Sequence, residues 1–312
     1  MRLFIIGNGF DIFHGLHTKY SDYRNFLDET IVSRFEKMAD NAGLTKEATW
    51  SDIETTLGVC WNSLQSSYFS LYSNDENDCI ELRTDMEQDF SFIFGFTGEL
   101  FYSFINTAQT KAVKPVFHFE KDDIFVNFNY TNTLERIYNI LPERILHIHG
   151  MLDDIQPMSF VGSDILPRFN TLEEAEVIEP IVKAKNWNSE LVRSTIQFGA
   201  YPVIPYSGSI TDDKVIKEIQ ELQDLFVKHP EHNMSVLQKF ISNFQPETID
   251  EVVISGTSIG KCDSPYFVKI LMPNLKHSKW SFYCFSPKDM NNYTSICGAN
   301  GITPNWLQYP KV

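Results

Sequence analysis

Arg2-Leu3-Phe4-Ile5-Ile6-Gly7-Asn8-Gly9-Phe10-Asp11 stands at the start of the chain and decides how the rest is read. Leu3 to Ile6 is an unbroken apolar run of strand-forming residues. It is too short for a helix and predicts a central strand buried on both faces. Gly7 and Gly9, one residue apart directly after it, allow a sharp turn and a close backbone approach to a ligand. A helix after the turn would aim its first N–H groups at the same place and favour a phosphate there. The competing reading is a Gly-containing turn with no ligand. The fingerprint of hydride-transferring dehydrogenases is not met, because position 12 is Ile where a third Gly or Ala is required. Asp28 and Glu29 have the spacing of a ribose-binding acid but lie in a helical pattern. Nicotinamide-dependent hydride transfer is therefore disfavoured, and a dinucleotide ligand is not.

Outward from this stretch, strand-like runs recur at Asp123–Asn129, Arg144–His149, Glu251–Gly256 and Trp280–Phe285. Helical patterns lie between them. The alternation predicts an α/β fold, a Rossmann-like parallel sheet with helices on both faces. One domain over residues 1–312 is expected, with a helical insertion at about 28–112. Ser51 with Glu54 three residues on reads as a capping box, with Asp52 or Glu54 at a ligand as the alternative. Further helices are expected near 171–182, 211–227 and 234–243.

The formal net charge of −15 and pI near 4.9 argue against a nucleic-acid partner, since no basic stripe is available to neutralise phosphates. Five scattered cysteines without a C-x-x-C pair point away from a zinc ribbon and towards a reducing cytoplasm. The first strand is interrupted by Gly7, Asn8 and Asp11, so no signal peptide is read, and no stretch is long and apolar enough to suggest a membrane span. A cytoplasmic protein, able to form a homo-oligomer, is expected.

In an open parallel sheet, ligands bind beyond the carboxyl ends of the strands. The informative residues fall at such ends: Gly7 to Asp11, Asn129, His149 with Gly150, and Gly256, Thr257 and Ser258. Each has an ordinary structural explanation alone, as a turn, a cap or a buried histidine. Together they describe a phosphate cradle, an amide, an imidazole and a hydroxyl. His147 and His149 alternate onto one strand face, as metal ligands can. His14 and His17, three apart, lack a nearby third ligand.

The order Gly7-Asn8-Gly9, Asn129-Tyr130-Thr131, His149-Gly150 and Gly256-Thr257-Ser258 resembles the sirtuin superfamily of NAD-binding (sirtuin-like or DHS-like) folds. More closely, Gly7-Asn8-Gly9-Phe10-Asp11 with Gly15, Thr18 and Tyr20, and the run Asn129 to Glu135, resemble the bacterial abortive-infection AbiH family. Thr131 stands where the sirtuin motif has Asp. The resemblance implies NAD+ as substrate, antiphage defence as the setting and a phage-derived trigger. It places Gly7, Asn8, Gly9, Phe10, Thr131, Gly256, Thr257 and Ser258 at the dinucleotide.

The implied chemistry is NAD+ hydrolysis to ADP-ribose and nicotinamide. Nicotinamide leaves as a neutral molecule, and the ribose passes through an oxocarbenium-like state. His149 is expected as general base, Asn129 as the group orienting water or a ribose hydroxyl, and Asp11 as negative charge near the ribose. No metal is expected. Two alternatives stay open: a metal-dependent hydrolase using His147 and His149, and a non-catalytic nucleotide-sensing interaction protein.

Overall fold

Six strands pair side by side in a computed structural model that describes residues 1–60, 63, 89, 92–93, 96, 99–111, 113–151, 230–260, 263–284 and 286–310. They are β1 (Arg2–Ile6), β2 (Ile124–Asn127), β3 (Ile145–His147), β4 (Glu251–Ser255), β5 (Lys279–Tyr283) and β6 (Pro304–Leu307). Their order is β3-β2-β1-β4-β5-β6, and every neighbouring pair is parallel. β6 has no counterpart among the expected strands; it opens on Pro304, at the sheet edge, where proline is tolerated.

The helices are α1 (Asn8–Phe13), α2 (Tyr20–Phe26), α3 (Glu29–Asn41), α4 (Lys46–Ser51), α5 (Glu99–Gln109), α6 (Thr133–Tyr138), α7 (Pro230–Asn243) and α9 (Pro287–Ala299). Between the last two, α8 runs through Ser264–Tyr266, a π-helical Phe267–Leu271 and Met272–Asn274. Contacts divide the chain into two compact units. One holds residues 1–19, 105–151 and 229–312, and the other residues 20–104 and 152–228. The helices expected near 171–182 and 211–227 lie outside the described residues.

In the first unit, alternate residues of each central strand go to opposite faces. Leu3, Ile5, Ile124, Val126, Val252, Ile254, Trp280 and Phe282 pack with Leu237 of α7, Leu271 of α8 and Cys297 of α9. Phe4, Ile6, Phe125 and Val253 pack on the other face with Phe10 of α1 and Leu134 of α6. Helices thus cover both faces, which is why the strands read as continuous apolar runs. Each fully buried aliphatic or aromatic side chain of these strands contributes about 1.5–3 kcal/mol. At the amino edge, Arg2 makes a bidentate pair with the buried Asp123, Nη2 to Oδ2 at 2.6 Å and Nε to Oδ1 at 3.0 Å, which pins β1 against β2 in register.

The described residues of the second unit, all between 20 and 104, are largely helical and rich in aromatic contacts, with Tyr23, Phe35 and Phe96 fully buried. Its capping differs from the expected Ser51–Glu54 box. Ser51 is the last residue of α4, and Asp52 caps the next helical stretch by accepting from Thr55 N at 3.0 Å and Thr55 Oγ1 at 2.7 Å. Aspartate serves at this position because its carboxylate reaches the N–H three residues on.

Candidate functional site

Strand order reverses at β1. From there the chain steps outwards through β2 to β3 on one side and through β4 and β5 to β6 on the other. The turn after β1 feeds α1 on one face, while the turn after β4 feeds Ile259 and α8 on the other. The two turns meet backbone to backbone. Gly7 N donates to Ser255 O at 2.9 Å, Gly9 N to Gly256 O at 2.8 Å, and Phe10 N to Gly7 O at 2.9 Å. A Cβ on Gly7 would lie 2.5 Å from Thr257 Cα, and one on Gly256 only 2.1 Å from Phe10 N. Gly256 also has φ +79°, a conformation costly for any residue with a Cβ. The glycines at this reversal let the two turns pack against each other, and the N–H groups of Gly7 and Gly9 are engaged within the protein. α1 itself has six residues.

The other residues expected around the dinucleotide are distributed as follows. Phe10 is buried against Phe117, with ring centroids 5.1 Å apart, as part of the core. Asn8 binds back to Thr18, donating from Nδ2 to the carbonyl at 2.8 Å and accepting from Oγ1 at 2.6 Å, which closes the loop after α1. The Thr257 carbonyl accepts from the Tyr293 hydroxyl, and Ser258 is exposed, with its carbonyl accepting from Asn292 Nδ2 at 2.6 Å. His14 and His17 part company. His14 donates from Nδ1 to Phe10 O at 2.7 Å and faces the Tyr138 hydroxyl across 2.5 Å, while His17 lies beside Lys111. The Tyr138 hydroxyl accepts from the N–H groups of Val116 and Phe117, so its own proton goes to His14 Nε2. Burial lowers the His14 pKa accordingly.

A denser polar lattice sits at the carboxyl ends of β1, β2 and β3. Asn129, buried, donates from Nδ2 to Gly7 O at 3.0 Å, and its N–H donates to Asn127 Oδ1 at 2.9 Å. Asp11, 1% exposed, accepts from Thr131 Oγ1 at 2.6 Å and Thr133 Oγ1 at 2.8 Å. Burial raises its pKa to about 6, against the opposing pull of the two hydroxyls, Arg136 and His147. Asp11 and Thr131, both expected at the ligand, are thus bonded to each other beneath the 127–133 segment. Asn127 pairs with His147 in the β2–β3 register and donates weakly to Thr131 O at 3.4 Å. His147 Nε2 lies 2.7 Å from Glu135 Oε1 on α6.

The two histidines of this strand do not share a face. β3 ends at His147, and the chain turns there, with Gly150 N donating to His147 O at 3.3 Å. Strand alternation stops with it. His149 is buried with its ring against Phe128 and Tyr266, members of the opposite-face core, and its Nε2 is 3.5 Å from Asp263 Oδ1. This corrects the expectation that alternation carries both imidazoles to one side. Among the described residues, no three His, Cys, Asp or Glu side chains gather as a metal-binding group, and no helix is long and apolar enough to cross a membrane.

A family model described as bacteriophage abortive infection AbiH matches residues 3–284, from the first strand to the residue after β5. The chain belongs to the AbiH family. No curated protein and no solved structure matches it. In this AbiH chain, Asn127, Thr133 and Glu135, for which the sequence suggested no separate role, complete the lattice, while Asp263 lies beside His149 on the opposite face. Asn127 carried a usable signal, being an amide in the otherwise apolar run Ile124-Phe125-Val126. Glu135 lies in the Asn129–Glu135 run, but neither it nor Asp263 points in sequence to its histidine partner.

Proposed function

We propose that this AbiH protein is an NAD+ glycohydrolase of the abortive-infection response, built on a Rossmann-like, sirtuin-like sheet. The observation that carries the proposal is the buried Asn129 amide at the strand-order reversal, bonded to Gly7 O and backed by Asn127, with a second polar layer of Asp11, Thr131 and Thr133 beneath it. The order 3-2-1-4-5-6 is that of dinucleotide-binding sheets, whose ligands lie outside the carboxyl ends at this reversal. Hydrolysis there needs a group that orients water or ribose and surroundings that stabilise positive charge at C1′. Asn129 supplies the first. Asp11, where ionised, supplies part of the second from below, through the loop it holds.

The reaction requires no resident cofactor in this proposal, because NAD+ is the substrate. In infected cells that carry the protein, the NAD+ pool falls as protection sets in, and Asn129→Ala abolishes both effects while the variant remains folded. Full protection with an NAD+ pool that stays constant throughout infection would overturn the proposal.

A further inference from the structure

We infer that His147, held by Glu135, is the residue that takes the proton from the attacking water, a role the sequence assigns to His149. The inference rests on the glycohydrolase reading above. Three observations carry it. Glu135 Oε1, 2.7 Å from His147 Nε2, fixes the ring as the tautomer that donates from Nε2 and leaves a lone pair on Nδ1. That lone pair faces Asn127 Nδ2 across 3.5 Å, at the outer limit of a hydrogen bond, so it is weakly engaged. The His147 side chain keeps 12% of its surface exposed, whereas that of His149 keeps 1% and packs against two aromatic rings.

Carboxylate, imidazole and weakly held lone pair form the arrangement in which an acid orients a base and stabilises the imidazolium it becomes. Asn127 ties this pair to the substrate-facing loop, since its Oδ1 accepts from Asn129 N at 2.9 Å. In the step, Nδ1 removes a proton from water as the water oxygen bonds to ribose C1′. The C1′–N1 bond breaks with its electron pair passing to the pyridinium nitrogen. Neutral nicotinamide leaves, ADP-ribose forms, and the imidazolium later returns its proton to solvent. Glu135 is a positioning residue in this scheme. Its second oxygen, Oε2, is buried without a hydrogen-bond partner among the described residues, so the carboxylate is committed to the imidazole.

The test uses full-length protein purified from phage-infected cells, with nicotinamide release as readout. His147→Ala lowers kcat by about a hundredfold or more with little change in KM, and added imidazole restores part of the rate. Glu135→Gln lowers kcat and leaves KM and the unfolding midpoint near wild type, which a merely structural carboxylate would not do. Wild-type kcat in folded His147→Ala, or a loss that imidazole does not relieve, overturns the assignment and leaves the glycohydrolase reading in place. A wild-type protein that releases no nicotinamide overturns both.

Discussion

The two halves of the carboxyl edge use their polar groups differently. At the β1–β4 turns, Gly7, Gly9 and Gly256 bring backbone against backbone, with the N–H groups of Gly7 and Gly9 and the carbonyl of Gly256 joining one turn to the other. At the β1–β2–β3 edge, side chains take over: Asn129, Asn127, His147, Glu135 and the Asp11–Thr131–Thr133 cluster. The glycine motif that dominates the sequence serves the joining of two layers. The chemistry-bearing side chains stand beside it, Asn129, Thr131, Thr133 and Glu135 among them in the second run that carries the family resemblance. A glycine that permits close approach therefore leaves open what approaches it, and here it is the chain itself.

The joint between the two turns is most sensitive at Gly256. Gly256→Ala places a Cβ against Phe10 N in a left-handed backbone conformation, and the expected loss is about 2–5 kcal/mol, read as a fall in the urea midpoint. An unchanged midpoint would mean that the two turns do not press on each other. Next comes Asp11→Ala, which leaves two buried threonine hydroxyls without their acceptor. It should cost about 2 kcal/mol or more and lower nicotinamide release, because the 127–133 segment loses its anchor. Normal release from a fully folded variant would separate Asp11 from the site altogether.

The pH dependence sharpens the same contrast. The Asp11 pKa is raised from 3.8 to about 6 in the folded protein, so the fold favours the protonated acid. Its contribution to stability is fully present below about pH 4 and is lost as pH rises through about 6. Asp11→Asn carries no such titration. Its stability relative to wild type should therefore improve from pH 4 to pH 7, as measured by unfolding of both proteins across that range. A difference that stays flat would place the carboxylate's titration outside this window. The smallest effect is expected at the exposed Ser258, whose carbonyl, and not its hydroxyl, is bonded to Asn292. Ser258→Ala should change stability by less than about 0.5 kcal/mol and leave NAD+ affinity unchanged. A marked loss of affinity would mean that the hydroxyl itself reaches the ligand.

The parallel α/β sheet was legible because both-face burial writes itself as Leu3-Phe4-Ile5-Ile6 and Val252-Val253-Ile254. β6 was not, since Pro304-Asn305-Trp306-Leu307 is an edge strand with only partial burial and little apolar patterning. Asn129 and Asp11 could be picked out by their place at strand ends, and the structure brings both into one lattice. The split between His147 and His149 was hidden, because period-two alternation says nothing about where a strand stops. The role of Glu135 was hidden for a different reason: it comes from an imidazole on β3 facing the helix that carries Glu135, a relation that sequence spacing does not express.

Incubation of the protein purified from infected cells with NAD+, followed by identification of every product, shows which bond of the dinucleotide is cut. Cleavage at the nicotinamide–ribose bond yields nicotinamide and ADP-ribose in equal amounts, and both disappear in Asn129→Ala. Recovery of intact NAD+, or cleavage at the pyrophosphate to the two mononucleotides, would contradict the glycohydrolase reading.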